Sequence, residues 1–420
     1  MRVLIVSAVY PPELVVSSQT SAQIAEALQQ QGAEVTVVTD FPNRPAGKLY
    51  PGVSRRLYQR RHITDNLQIV RCFTTLSPES RMLSRFMENA SFGVTSGWVV
   101  LTAPRPDVIY ANSWPIIATG LLALIARLRR IPLVMSVQDV YPESLISQRR
   151  AGITTWLVRI MQQIDMAIAR SCQALVVISP EFARLYQNNR RVQPERIHYV
   201  PNWLDSRSIV VDEQSVNSFR KQLGVPQEAT LVVYGGNIGM AAGVETLLAG
   251  FAALADCDSL YLVVAGEGSR LAACRKLASD LNNPRVRFHS PWLKDETSTL
   301  LSAADVLVLP TRGRQSLVSM PSKLITYMLA ARPVIAMAIA GSDSAVVVTE
   351  SGCGWVIEPD QPQQLATKLR EFNSLAMVER HQRGQAGRAY ALQHFTAAVC
   401  VPQIMQIIEK AVLCPKRVQA

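Results

Sequence analysis

The chain reads as an α/β protein made of two doubly wound, parallel-sheet domains in tandem. Three observations predict this. Short, fully apolar runs rich in Val, Ile and Leu alternate with amphipathic segments, the pattern of parallel strands joined by helices. The alternation breaks once, at a polar stretch after residue 205, and then starts again. Finally, 420 residues exceed one ordinary core, whereas two domains of roughly 200 each fit the usual size.

RVLIVSAVY (Arg2–Tyr10) is the first buried strand, ended by Pro11 and Pro12. SAQIAEALQQQ supplies a helix, Gly32 its stop and Val35–Thr39 a second strand, so a βαβ unit opens the domain. No GxGxxG follows the first strand. Residues 41–80 form a polar, basic insertion with Arg44, Lys48, Arg55, Arg56, Arg60 and Arg61, and LQIVRCF at its end reads as a strand or hairpin. RMLSRFMENASFGVTSGWVVLTA is an apolar helix. It is either core or an interfacial helix with Phe86 and Trp98 on lipid and Arg81 and Arg85 at headgroups. PDVIYANSW, IPLVMSVQDVYPES and CQALVVISPE give three more strands, separated by the helices ATGLLALIARLRR and TTWLVRIMQQIDMAIARS. HYVPNWLD closes the first domain, assigned to residues 1–203.

The polar segment SRSIVVDEQSVNSFRKQLGVPQEA is read as the connection, and the second domain as residues 204–396. In it, ATLVVYGGNIG and LYLVVAGEGS are strands running into Gly-rich turns, with VETLLAGFAALAD and RLAACRKLASDL as their helices. RVRFHSPW, DVLVLP (Asp305–Pro310), PVIAMA (Pro333–Ala338) and CGWVIEP complete the sheet. Between DVLVLP and PVIAMA, Pro321-Ser322-Lys323 leads into the helix LITYMLA. QPQQLATKLREFN is a further helix; residues 397–420, a last helix and tail, are expected to pack back on the first domain.

Charge and composition narrow the function. Residues 1–200 hold 22 Lys+Arg against 13 Asp+Glu, and the remainder 21 against 19, so the net charge of +11 sits mainly in the first half. An anionic partner is expected there, and without a nucleic-acid-binding signature a membrane surface or a pyrophosphate is favoured over DNA or RNA. A mean hydropathy of +0.12 leaves room for a membrane-facing surface. The start lacks a signal-peptide pattern and no run of about 18 apolar residues occurs, so no membrane span is expected. Seven scattered cysteines, without CxxC or metal-site spacing, suit a reducing cytosol.

Chemistry is expected at strand ends. In the second domain, Gly235-Gly236-Asn237-Ile238-Gly239, Gly266-Glu267-Gly268-Ser269 and the stretch from Ser316 to Thr326 would meet at one sheet edge. Glycines there let a ligand approach the backbone, and the first amides of the Ser322–Lys323 helix, with the Lys323 cation, make an anion site fit for a diphosphate. His289 and Ser290 lie past another strand, where a flat base could rest. In the first domain, Gln138 to Glu143 gathers Asp139, Tyr141 and Glu143, an inventory for gripping hydroxyls; Asp139 and Glu143 could equally cap the next helix.

The ordered blocks VYPPE, GAEVTVVTD, PDVIYA, QDVYPES, VVISP, VPNWLD, GGNIGMAAGVETLL, AGEGS, VRFHSP, AADVLVLPT, MPSKLITYMLAARPVIA and GWVIEPD resemble a retaining glycosyltransferase of family four, GT-B fold. The likeness is to the O-antigen, capsule and colanic-acid-type polysaccharide subgroup, over residues 1 to about 395. It implies two Rossmann-like domains facing across a cleft. A UDP- or GDP-linked sugar would bind the C-terminal domain, and a lipid-linked or oligosaccharide acceptor the N-terminal one. No metal or other cofactor is implied, and the enzyme would be cytoplasmic and peripheral on the inner face of the plasma membrane.

On that resemblance, Ser322 and Lys323 match the phosphate turn, and Gly236, Asn237 and Gly239 the Gly-rich donor loop. Gly266 and Gly268 match a turn near the nucleotide, Thr326 stands where ribose would be contacted, and Lys323, Asp139 and Glu143 are the catalytic candidates. The family's Glu-x7-Glu pair falls on Val318 and Thr326, and its loop Arg and Lys on Asn237 and Ala242; Lys323, Arg312, Arg314 or Arg332 would have to stand in for lost cations. Two other readings fit the same residues. One is a sugar-nucleotide epimerase of the same fold, which would turn over without an acceptor. The other is a degenerate homologue acting as a membrane-assembly partner, which would bind no nucleotide sugar.

Overall fold

Strand β1 (Arg2–Val6) is buried from Val3 onward, as a strand covered on both faces requires, and it organises the first sheet. The computed structural model describes residues 1–413 except residues 14, 45, 79–81, 114–115, 141, 144–154, 206–208, 210–212 and 314–321. β1 pairs in parallel with β2 (Glu34–Asp40) on one side and β5 (Val108–Asn112) on the other. With β3 (Tyr58–Thr64), β4 (Leu67–Cys72), β6 (Leu133–Val137), β7 (Ala174–Val177) and β8 (Ile197–Tyr199), the order is β3-β4-β2-β1-β5-β6-β7-β8. Only β3 is antiparallel; it forms a hairpin with β4 inside the basic insertion and leaves its residues largely exposed at the sheet edge.

The helices of this sheet are α1 (Val16–Gln30), α2 (Met82–Thr102), α3 (Ile116–Leu128), α4 (Thr155–Ser171) and α5 (Pro180–Asn188). Ser179 caps α5 by accepting a hydrogen bond from the Phe182 amide at 3.1 Å.

The second sheet has the order β11-β10-β9-β12-β13-β14, all parallel. Its strands are β9 (Thr230–Gly235), β10 (Leu260–Ala265), β11 (Val286–His289), β12 (Val306–Leu309), β13 (Val334–Met337) and β14 (Gly354–Ile357). Around it lie α6 (Glu213–Gln222), α7 (Val244–Ala252), α8 (Leu271–Asp280), α9 (Thr297–Ala303), α10 (Ser322–Leu329), α11 (Asp343–Ser351), α12 (Pro362–Ser374) and α13 (Met377–His394). Two apolar clusters, one on each face, contain nearly every strand residue. The first compact unit is Met1–Asn202 with Ala397–Ala420, the second Trp203–Thr396. The last helix, α14 (Ala397–Leu413), packs on α1, β5, β6 and β7 of the first unit.

Two elements differ from the sequence expectation. The polar connection contains α6, whose Phe219 is buried in the second core and whose Arg220 donates to the carbonyls of Ala303 (3.1 Å) and Ala229. Helix α13 is absent from the sequence expectation, and it carries two glycines, Gly384 and Gly387, that a helix interior usually disfavours. In the structure they are contact points: a Cβ on Gly384 would lie 2.1 Å from the Ala331 carbonyl oxygen, and one on Gly387 2.7 Å from Cys353 Cβ. Glycine there lets α13 lie against the end of α10 and the start of β14.

Candidate functional site

The second sheet ends in three turns that meet over β9. After β9 the chain turns through Gly236 at φ +154°, and after β10 through Gly266 at φ +130° and Gly268 at φ +152°. A Cβ on Gly266 would lie 2.0 Å from the Gly236 carbonyl oxygen, and one on Gly268 2.4 Å from that of Ile238. At both positions the neighbouring turn fills the space that a side chain would need, so glycine is required there whether or not a ligand approaches the backbone. The two turns are then tied together by Ile238 N–H donating to Glu267 O (2.7 Å) and Arg270 N–H to Ile238 O (2.9 Å). Gly266 N–H donates to His289 O at 3.1 Å, which brings the end of β11 into the same assembly.

We expect Gly266→Ala to be strongly destabilising, by more than the roughly 1 kcal/mol of an ordinary glycine replacement, since backbone must move. A urea melt checks this; an unchanged midpoint would show that the turns are not in contact.

Lys323 is the chemical centre of the edge. It enters from the first turn of α10 and lays its stem across Gly236, where a Cβ would sit 2.2 Å from Lys323 Cε. Its Nζ donates to the Tyr234 hydroxyl at 2.7 Å and stands 4.8 Å from the centre of the Tyr234 ring. The Tyr234 hydroxyl donates in turn to Asn237 O at 2.7 Å, and burial raises its pKa, so it stays a neutral phenol that can do both. Tyr327, one helical turn on in α10, clamps the strand end: its hydroxyl accepts from Gly235 N–H (2.9 Å) and donates to Gly235 O (3.0 Å). The Trp292 ring covers Gly235, with a built Cβ 3.0 Å from its edge, and its buried Nε1 has no hydrogen-bond partner among the described residues.

No carboxylate among the described residues pairs with the Lys323 ammonium, and burial alone pushes its pKa down to about 8. A largely desolvated cation that no described carboxylate pairs with, at a helix N-terminus and beside a Gly-rich turn, is an anion-binding arrangement. Ser322 is half-buried at the start of α10, and Asn237 is exposed beside Gly239. The Thr326 hydroxyl turns back to donate to Ser322 O at 3.1 Å. His289 is committed elsewhere by its side chain, with Nε2 2.8 Å from Glu296 Oε2 and its ring edge-on to Phe219; Ser290 follows it, half-buried.

The structure thus brings together Lys323, Ser322, Gly236, Asn237, Gly239, Gly266, Gly268 and the backbone of His289. Tyr234 and Tyr327 carry no signal in the sequence as site residues, whereas Trp292 ends the segment after β11 where a flat base is expected to rest. Arg332 donates to Ser302 O at 2.5 Å and so closes α9 instead of facing the turns, while Arg312 is exposed. Arg314, Ser316, Val318 and Pro321 lie outside the described residues.

In the first unit, Asp139 follows β6 and its Oδ1 accepts from the Val140 amide at 3.0 Å. Tyr141 lies outside the described residues. Both oxygens of Glu143 accept from Arg190 Nη2, at 2.9 and 2.7 Å, while Arg190 Nε donates to Asp165 at 2.7 Å. Glu143 is therefore an anchor for its loop, not the free grip for hydroxyls that its position suggests. At the same sheet edge a buried polar cluster fixes the loops after β1 and β2. Glu13 accepts from the amides of Tyr10, Asn43 and Arg44, and Asn43 Nδ2 donates to Asp40, whose pKa burial holds well above the carboxylate range.

Residues 17–203 match the model of the glycosyl transferase 4-like domain, and residues 229–373 that of the glycosyl transferases group 1. WcaI of Escherichia coli (strain K12), provisionally named a colanic acid biosynthesis glycosyl transferase, is 25% identical over 379 residues, covering 88% of this chain and 92% of WcaI. Among solved structures, the sucrose-phosphate synthase of Thermosynechococcus elongatus superposes with a TM-score of 0.73 at 17% identity, over 98% of this chain and 99% of that one. HepE of Anabaena, in complex with UDP-glucose, gives 0.70 at 16% identity, over 98% and 100%. These likenesses extend over both sheets and show the GT-B arrangement of two Rossmann-like domains.

Proposed function

Because the chain belongs to glycosyltransferase family four, with the GT-B fold, we propose that it moves a sugar from a UDP- or GDP-linked donor to a polysaccharide or lipid-linked sugar acceptor in the synthesis of a cell-surface polysaccharide. The transfer retains the anomeric configuration. The names of its relatives favour polysaccharide synthesis, and the UDP-glucose held by HepE favours a nucleotide-sugar donor. The observation that carries the reading is the largely desolvated ammonium of Lys323 at the N-terminus of α10, which no carboxylate pairs with among the described residues.

In this reading the donor diphosphate accepts from Lys323 Nζ and from the first amides of α10 at Ser322 and Lys323, with Asn237 and Gly239 flanking the sugar. When the anomeric C–O bond to the diphosphate breaks, charge grows on the phosphate oxygens, where a preorganised cation in a dry site is most effective. The acceptor oxygen bonds to the anomeric carbon on the same face, and its proton passes to the departing phosphate. Lys323 and the helix dipole do what a divalent metal does elsewhere, so no metal is required. Asp139 is the candidate for contact with acceptor hydroxyls in the first unit. Among the described residues no helix is long and apolar enough to cross a membrane. We place the enzyme in the cytoplasm, peripheral on the inner face of the plasma membrane.

A thermal-shift screen against UDP- and GDP-sugars tests the reading, because a ligand selective for the folded state raises the melting temperature. One of them should stabilise the protein, and the same donor should be consumed only with an acceptor present. No shift with any donor would overturn it. The pH dependence is a further check. Free Lys323 loses its proton near pH 8, so donor affinity should be flat below about pH 7 and fall as pH rises through 8. The same decline in Lys323→Met would exclude Lys323 as the cation.

A further inference from the structure

The outer surface of the α2–α3–α4 layer has a composition that a water-facing surface does not need. α2 packs on α3 and α3 on α4 over one face of the first sheet, burying Phe92, Val100, Leu122 and Ile168 in the core. On the other side, these three helices carry eleven of the 23 large hydrophobic side chains that are exposed among the described residues. Trp98 is 57% exposed, Trp156 63% and Leu128 70%, with Phe86, Leu101 and Ile160 also outward. Single exposed apolar residues are ordinary; a concentration on adjoining helices marks an interaction surface.

The charges on the same helices decide its partner. Their only described carboxylates are Glu88 and Asp165, both buried and both paired with arginine. No carboxylate of the three helices faces outward, whereas Arg127, Arg159 and Arg170 are exposed. Arg127 lies three residues from Leu124, and Arg159 three from Trp156, so cation and apolar contact share one helix face.

An apolar groove of about 520 Å³ continues the surface towards β3, walled by Leu57, Tyr58, Trp98, Leu101, Leu121 and Ile125. Gly93 and Gly97 form its floor, and a Cβ on Gly93 would lie 2.9 Å from Ala118 Cα, so α2 and α3 approach closely there. Arg55 and Arg56 stand exposed beside Leu57.

We propose that this face, centred on Trp98 and Trp156, docks on an anionic lipid bilayer, with its aromatic and aliphatic side chains at the headgroup–acyl boundary, its arginines on lipid phosphates and one hydrocarbon chain in the groove. Aromatic and aliphatic side chains beside arginine, without an opposing acid, match such an interface, whereas a protein partner of mixed charge would call for carboxylates among the arginines. The inference deepens the peripheral placement above and rests on it only for its biological purpose.

Vesicle flotation of the full chain tests it, with phosphatidylglycerol-containing and pure phosphatidylcholine vesicles at low and high salt. The parent protein should float with the anionic vesicles at low salt, at least about tenfold more strongly than with the neutral ones, and high salt should weaken it. Trp98→Glu/Trp156→Glu and Arg127→Glu/Arg159→Glu should each reduce flotation at least about tenfold. A cooperative thermal melt at the parent's midpoint, with the thermal shift from whichever donor the screen identifies retained, shows that both variants are folded. Flotation that neither variant changes would overturn the proposal, as would none by the parent. A parent dimer that Trp98→Glu/Trp156→Glu dissolves would assign the face to a second copy and also overturn it. Loss of donor binding with flotation intact would instead sink the transferase reading and leave this face standing.

Discussion

Lys323→Met is expected to lower affinity for the donor by about 10- to 150-fold and to leave the fold at least as stable as before. The affinity loss follows from removing a charge-assisted hydrogen bond to a diphosphate, worth roughly 1.5–3 kcal/mol, at 1.4 kcal/mol per factor of ten. Methionine keeps the apolar stem that lies across Gly236, so the turn stays packed. Stability should not fall, because the ammonium is largely withdrawn from water and its hydrogen-bond partner is the neutral Tyr234 phenol. Its folded pKa of about 8 lies below the ordinary lysine value of 10.5, so the unfolded chain binds more protons between those values. Stability of the parent should therefore rise with pH across that window, and the variant should lack that rise. Calorimetry with the nucleotide sugar and with its bare nucleoside separates the effects. Only the diphosphate-bearing ligand should lose affinity; equal loss for the nucleoside would mean that the turn itself had been damaged.

Arg190→Met should cost about 3–5 kcal/mol of stability, because it strands two acids that the arginine neutralises. Arg190 is 2% exposed, with Asp165 on its Nε and Glu143 on its Nη2, and the Tyr186 hydroxyl completes the group by donating to Asp165 at 3.1 Å. Burial already raises the Asp165 pKa despite the arginine, and removing the cation raises it further. A raised carboxyl pKa favours the fold at low pH and loses that advantage as pH rises, so the deficit of the variant should be larger at pH 7 than at pH 5. Urea melts at the two values test this. An equal deficit at both would assign the loss to packing, and an unchanged midpoint would remove the cluster from the account of stability.

Much of the architecture was legible because parallel strands buried on both faces read as unbroken apolar runs: RVLIV, TLVVY, LYLVVA and VLVL are strands where expected. Elements whose pattern misleads were harder to find. α6 is polar apart from a few buried residues, and the glycines of α13 serve a helix contact that single-residue propensity cannot foresee.

At the site, Ser322 and Lys323 stood out because a proline, a small polar residue and a cation precede an apolar helix. The pairing of Lys323 with Tyr234, 89 positions away, arises only when β9 and α10 are folded together. The same holds for Glu143, whose carboxylate reads as available until Arg190, 47 residues on, is seen to occupy it. The glycines at 266 and 268 were legible as necessary, but their physical reason was not, since the contact that demands them lies in another turn.

The most direct measurement is calorimetric titration of the donor at pH 8 in buffers of different ionisation enthalpy, which counts protons taken up on binding. With Lys323 about half protonated when free and fully protonated against a diphosphate, binding should absorb about half a proton, and Lys323→Met should absorb none. Unchanged proton uptake together with unchanged donor affinity in Lys323→Met would show that the diphosphate rests somewhere other than on Lys323.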